Sequence, residues 1–200
     1  MNRFTSSFLA TKVAQLPSGF VIVTDNSRRH FVTCVSAALV AGNFPTLARA
    51  TPTEIRSLAF DNLHTGERTK VDYWSNGQYV PDALKEVNYI LRDFRNGEIH
   101  PIDPRLLDLL SRLHATLDSS SPFEVISGYR SPQTNAMLRE AGHGTAVKSL
   151  HMQGQAIDIR LTDRTLANLH SAAMGLRLGG VGFYPAADFV HVDVGRVRYW

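Results

Sequence analysis

Apolar positions along this chain recur at two spacings, every second residue and every third or fourth, and these spacings lay out the elements. Arg56 to Phe60 and Thr69 to Trp74 read as short β-prone runs, with a turn at His64-Thr65-Gly66-Glu67 between them and a second turn at Asn76-Gly77. Pro81 opens a helix in which Leu84, Val87, Leu91 and Phe94 fall at helical spacing, and Asn96-Gly97 closes it. Asp103-Pro104 opens a second helix that carries Leu106, Leu109, Leu110, Leu113 and Leu117 on one face, with His114 riding on it. Both read as core helices. Phe123 to Ser127 is a buried-type strand ending in Gly128-Tyr129-Arg130, and Pro132 begins a short helix through about Ala141. A loop from Gly142-His143-Gly144 runs into Ser149, and Gln155 to Leu161 alternates as a strand. Arg164 to Leu176 is helical with Leu166, Leu169 and Ala173 inward. Gly179 to Phe183 is a glycine-laden strand, and no helix follows it, so it is not a phosphate-cradling loop; its glycines allow close backbone approach. In the last strand, Val190, Val192 and Val194 share one face while His191 and Asp193 share the other.

Charge changes the picture only at the front of the chain. The 200 residues are 44% hydrophobic and 20% charged, ordinary globular material for one domain with a tail. A sequence pI near 9.2 suggests nucleic acid until its distribution is seen. Residues 1–50 hold Arg3, Lys12, Arg28, Arg29 and Arg49 against one acid, Asp25, which leaves sixteen basic and seventeen acidic residues in the body. No nucleic-acid partner is expected. The single cysteine, Cys34, also lies in residues 1–50, so the body has neither disulfide nor thiol chemistry.

Those first 50 residues read as an export leader. Ser27-Arg28-Arg29-His30-Phe31-Val32 looks like a twin-arginine motif, a mild apolar run continues to Val40, and Ala48-Arg49-Ala50 offers an A-x-A cleavage site. The run is far shorter than the ~20 residues that span a bilayer, so no membrane span is expected. The 26 residues ahead of the motif are long for such a signal, and Val21 or Val23 is an alternative start. The sequence thus predicts a cleaved leader over 1–50, engagement of the twin-arginine translocation machinery, a periplasmic location, and a catalytic domain over 51–200.

The chemistry concentrates in Ser149-Leu150-His151-Met152-Gln153-Gly154-Gln155-Ala156-Ile157-Asp158 and in Phe189-Val190-His191-Val192-Asp193. His151 and Asp158 are seven positions apart, a spacing that no single helix or strand face presents, but that a loop feeding a strand can. Imidazole with carboxylate is a ligand mix that suits zinc, and a catalytic zinc usually has three protein ligands and an open position. His191 offers the third.

S-x-H-x-x-G-x-A-x-D followed by F-V-H-V-D resembles the zinc peptidases of the D-Ala-D-Ala metallopeptidase group (peptidase family M15), related in fold to the hedgehog signalling domain. Within that group the chain resembles the murein endopeptidase K type. The likeness runs from about Leu58 to Trp200 and takes in Leu63 to Glu67, Ile126 to Ser131, Gly179 to Pro185 and the terminal Arg198-Tyr199-Trp200. It implies an α+β fold, in which an antiparallel sheet from the strands near 123, 157, 181 and 191 carries helices on one side and the site on the other. It implies one Zn²⁺ held by His151, Asp158 and His191, with water in the fourth position, and metal-assisted amide hydrolysis in a monomer. Arg130, just past a strand end, either stabilises the oxyanion or clamps a substrate carboxylate. Asp193 is the first candidate for the general base, with its alternative role that of an acceptor orienting a ligand histidine. Asp188 is the rival base, because related peptidases place an acid or histidine three residues before the last zinc histidine. Ser149 and His143 are candidate substrate contacts, His143 otherwise being a solvated loop histidine. His64 reads as a turn or packing histidine. The implied substrate is the stem peptide of peptidoglycan, cut at D-Ala–diaminopimelate or diaminopimelate–diaminopimelate cross-links. A D,D-carboxypeptidase and a non-catalytic peptidoglycan-binding module with structural zinc are the competing readings.

Overall fold

The computed structural model describes residues 54–142 and 144–200. The expected leader over 1–50 and His143 lie outside the described residues. The body is built on an eight-stranded sheet with strand order β3-β2-β1-β4-β5-β7-β6-β8. The strands are β1 Arg56–Asn62, β2 Arg68–Ser75, β3 Gln78–Tyr79, β4 Phe123–Ser127, β5 Ala156–Arg160, β6 Gly180–Tyr184, β7 Phe189–Asp193 and β8 Arg198–Tyr199. The helices are α1 Pro81–Ile90, α2 Pro104–Leu117, α3 Pro132–Glu140 and α4 Leu166–Leu176. No helix among the described residues is long and apolar enough to cross a membrane.

The α+β class holds, but the sheet is mixed. Its centre, β4-β5-β7-β6, is antiparallel as expected. β1 instead runs parallel to β4, with Phe60 opposite Phe123, and β8 runs parallel to β6. A parallel neighbour requires a long crossover, and β2, β3, α1 and α2 supply one between β1 and β4.

One face of the sheet is apolar. Leu58, Phe60, Tyr73, Phe123, Val125, Ile157, Ile159, Val190 and Val192 are buried against Val87, Leu106, Leu110, Leu113 and Leu169 of α1, α2 and α4. Each such side chain contributes about 1.5–3 kcal/mol by leaving water. α3 adds nothing to this core. It packs at the end of β4, where its buried Asn135 donates through Nδ2 to the Ala146 carbonyl.

Helix starts follow their caps: Asp103, Ser131 and Thr165 each accept a backbone N–H of the first turn through the side chain. α1 ends earlier than its apolar spacing suggests, at Ile90. The Leu91 carbonyl accepts the Tyr129 N–H at 2.7 Å, and buried Asp93 accepts the Ser131 and Arg95 N–H groups, so tertiary partners replace the next helical turn.

Candidate metal centre and active-site cleft

The second face of the sheet carries the site. Three pieces of local structure bring the donors together. Ser149 caps a short 3-10 turn, Leu150–Gln153, accepting the His151 N–H at 3.3 Å, and this turn presents His151. Gly154 follows at φ +64°, where any side chain would collide with the Pro101 carbonyl, so glycine is required to swing the chain into β5. Asp158 then points away from Ile157 and Ile159, and His191 stands opposite it on β7.

His151 Nε2, Asp158 Oδ1 and His191 Nδ1 converge. The separations are 3.2 Å between the two imidazole nitrogens, 2.8 Å from His191 Nδ1 to Asp158 Oδ1 and 3.3 Å from His151 Nε2 to Asp158 Oδ1. All three residues are buried. The outer nitrogen of each ring is occupied: His151 Nδ1 donates to the Gly128 carbonyl at 2.7 Å, and His191 Nε2 donates to Asp193 Oδ2 at 3.1 Å. That fixes the tautomers and turns the lone pairs of His151 Nε2 and His191 Nδ1 towards Asp158. Two imidazoles and a carboxylate so arranged, with oriented rings, fit a divalent metal. Burial pushes the Asp158 carboxyl up, but both histidines outweigh it, and the net shift is well below the usual carboxylate range. Burial likewise pulls His191 down, and the carboxylates of Asp158 and Asp193 on either side of its ring outweigh burial and raise it above an ordinary histidine.

Arg130 reaches the same place. A bulge between Val125 and Ser127 sets Ser127 opposite Asp158, and β4 leads directly into the arginine. Its N–H donates to the His151 carbonyl at 3.2 Å, and its Nη2 lies 3.8 Å from Asp158 Oδ2. Its Nε is buried without a partner. Burial lowers its pKa, with Asp158 opposing.

Asp193 does share a strand face with His191, but its carboxylate lies on the far side of the imidazole from the three-donor group. It is fully buried and takes N–H donors from Gly180, Gly195 and both terminal nitrogens of Arg198, besides His191. Asp188 is exposed. It follows a 3-10 turn, Pro185–Ala187, in a left-handed conformation at φ +56°, and pairs with Arg160 Nη1 at 2.5 Å. Arg160 extends from the same face of β5 as Asp158. His64 stacks on Phe94 with ring centroids 3.8 Å apart and contacts the Ile126 carbonyl, a packing role.

The donors lie at the bottom of a cleft of about 480 Å³, open to solvent, whose walls include Arg130, Lys148, Ser149, Tyr184, Phe189 and Trp200. The aromatic wall escaped sequence reasoning. Tyr184 stacks on Phe189 at 4.6 Å, Trp200 Nε1 donates to the Tyr184 hydroxyl at 2.7 Å, and the Trp200 ring lies 5.3 Å from that of His191. The glycines of β6 were the available signal: a Cβ at Gly182 would sit 2.7 Å from the Trp200 indole.

Residues 50–200 match the family model of peptidoglycan L,D-endopeptidase MepK (Peptidase_M15_2). The peptidoglycan L,D-endopeptidase MepK of Escherichia coli K12 is 42% identical over 178 residues, covering 88% of this chain and 98% of the relative. The protein of the same name in Shigella flexneri is equally similar, and the probable peptidoglycan L,D-endopeptidase MepK of Haemophilus influenzae is 37% identical over 179 residues, 88% of this chain and 96% of the relative. Through a match that spans the whole of the described body, the chain belongs to the MepK family of peptidases.

Proposed function

We propose that this protein is a zinc-dependent L,D-endopeptidase that hydrolyses peptide cross-links of peptidoglycan. The observation that carries the reading is the buried His151–Asp158–His191 group at the bottom of an open cleft, in a chain of this family. A closed structural zinc site has four ligands, whereas three donors facing a cleft leave room for a substrate. The family name specifies a bond between an L and a D centre, which among the expected cross-links favours diaminopimelate–diaminopimelate and argues against a carboxypeptidase that trims one terminal residue.

His151, Asp158 and His191 would hold the zinc. When bound, it supplies Lewis acidity for the scissile carbonyl and a more acidic water. The chain's own groups do the rest. Gly128 and Asp193 orient the imidazoles, so that Asp193 acts through His191 rather than as the base. Arg130 brings a fixed positive charge to the cleft, where it stabilises negative charge developing on the carbonyl oxygen. Asp188 is the proposed base: it stands three residues before His191, where related peptidases of this group carry an acid or histidine, and its carboxylate is the exposed one of the two candidates.

Digestion of purified sacculi, with muropeptide products separated by chromatography, tests the reading. Cross-linked dimers should fall to monomers, and a chelator should stop the reaction until zinc is restored. Release of a single terminal residue with dimers intact would instead indicate the carboxypeptidase.

Export through the twin-arginine pathway to the periplasm belongs to the same proposal, since the substrate lies outside the inner membrane. It is supported by the order of arginines, apolar run and A-x-A site, and by a family match that begins at residue 50. Mass spectrometry of periplasmic protein should find an N-terminus near Thr51. Unchanged periplasmic yield after Arg28→Lys with Arg29→Lys would exclude this route.

A further inference from the structure

We infer that Arg198, five residues beyond Asp193, is a positioning residue for the metal centre, acting on His191 through Asp193, and that the glycine strand β6 is shaped to admit it. The inference rests on the metal reading of the His151–Asp158–His191 group.

Arg198 meets Asp193 as a fork. Its Nη2 donates to Asp193 Oδ2 at 2.6 Å and its Nη1 to Oδ1 at 3.1 Å. Paired nitrogens on paired oxygens fix the carboxylate plane as well as its charge, which a point charge such as lysine cannot do. The Gly180 and Gly195 N–H groups complete Oδ1 at 3.0 and 2.9 Å. With Oδ1 filled, Oδ2 is left to accept from His191 Nε2, and that bond turns the ring so that Nδ1 lies 2.8 Å from Asp158 Oδ1. Partners of this kind, once removed, typically cost a site about 10–100-fold in metal affinity.

Two independent features point the same way. β8 is held in place by backbone pairing: Trp200 N–H donates to Val181 O, and Phe183 N–H donates to Trp200 O. That pins the strand carrying Arg198 to the sheet edge. Gly180 is the second feature. Its φ is ordinary, so turn geometry does not demand glycine. A Cβ there would lie 2.5 Å from Asp193 Oδ2 and 2.7 Å from Arg198 Cζ, so the missing side chain is the space that the fork occupies. The guanidinium also lies over Trp200, its Cζ 4.9 Å from the ring centroid, which ties the fork to the cleft wall.

The test is zinc affinity in metal-stripped protein, by competition with a chromophoric chelator, alongside circular dichroism to establish the folded fraction. Wild type, Arg198→Lys, Arg198→Ala and Gly180→Ala are compared. Arg198→Lys keeps a cation beside buried Asp193 and should fold, yet bind zinc about 10-fold more weakly; Arg198→Ala should lie towards 100-fold. Gly180→Ala should resemble Arg198→Lys although it alters no charged group. Folded Arg198→Lys and Gly180→Ala proteins that bind zinc within twofold of wild type would overturn the inference. So would failure of Arg198→Lys to fold, which would make Arg198 a structural counter-ion. If wild type itself binds no zinc, the metal reading fails instead.

Discussion

Asp193 has five donors around two oxygens, and Asp188 has one. That difference underlies the proposed division of tasks, with Asp193 orienting His191 and Asp188 as the base. Burial pushes the Asp193 carboxyl up, but His191, Arg198 and two backbone N–H groups more than reverse it, so it stays ionised far below neutral pH and has no lone pair facing the cleft. Asp188 is exposed and tied only to Arg160. Asp188→Asn should therefore lower kcat by roughly 10²–10⁴ with zinc still bound. Asp193→Asn should weaken zinc binding by about 10–100-fold and leave turnover near normal at saturating zinc. Steady-state kinetics with metal analysis on both variants checks this, and the reverse pattern would return the base role to Asp193. Alternation in Phe189 to Asp193 made it legible that His191 and Asp193 share a face. It did not reveal which ring nitrogen turns towards the carboxylate, because that depends on Gly180, Gly195 and Arg198, contributed by other segments.

Elements were legible where their signals are local. Pro81, Asp103-Pro104 and Pro132 mark helix starts, and the structure starts helices there; the last helix begins at Leu166, two residues beyond the expected Arg164, where Thr165 supplies the cap. The end of α1 was not legible, since Leu91 O and Asp93 serve Tyr129 and Ser131 across the fold. β8 was missed because a two-residue strand has no period. α2 adds a consequence for stability. His114 stacks flat on Phe123, with centroids 4.1 Å apart, and its Nε2 is buried without a partner. Burial lowers its pKa, while a bond to the Ser121 backbone opposes this. The unfolded chain takes up a proton at about pH 6.5 that the native site resists, so the contribution of His114 is full above that pH and is lost as pH falls below it. Denaturant midpoints measured from pH 8 to 5 should fall more steeply for wild type than for His114→Gln; parallel curves would refute this.

At the scale of the whole molecule, the donors and their orienting partners come from β4 through β8, and β1–β3 extend the sheet on the far side of β4. The parallel seam between β1 and β4 governs how such a sheet can assemble. The β1–β2 and β6–β7 pairs each join neighbours in sequence and can close early. Phe60 can meet Phe123 only after β2, β3, α1 and α2 have been laid between them, so the chain must give up the entropy of a long loop before the seam returns any contact. A contact made that late is absent from the transition state, and weakening it acts on the way out of the native state. Phe60→Leu and Phe123→Leu should thus speed unfolding several-fold while leaving the refolding rate nearly unchanged in stopped-flow chevrons. A refolding limb that slows in step with the lost stability would mean that the seam forms early. On this ordering, the half of the sheet that carries the catalytic chemistry can take shape before β1 has docked, and β1 acts as a latch that sets how long the finished enzyme lasts.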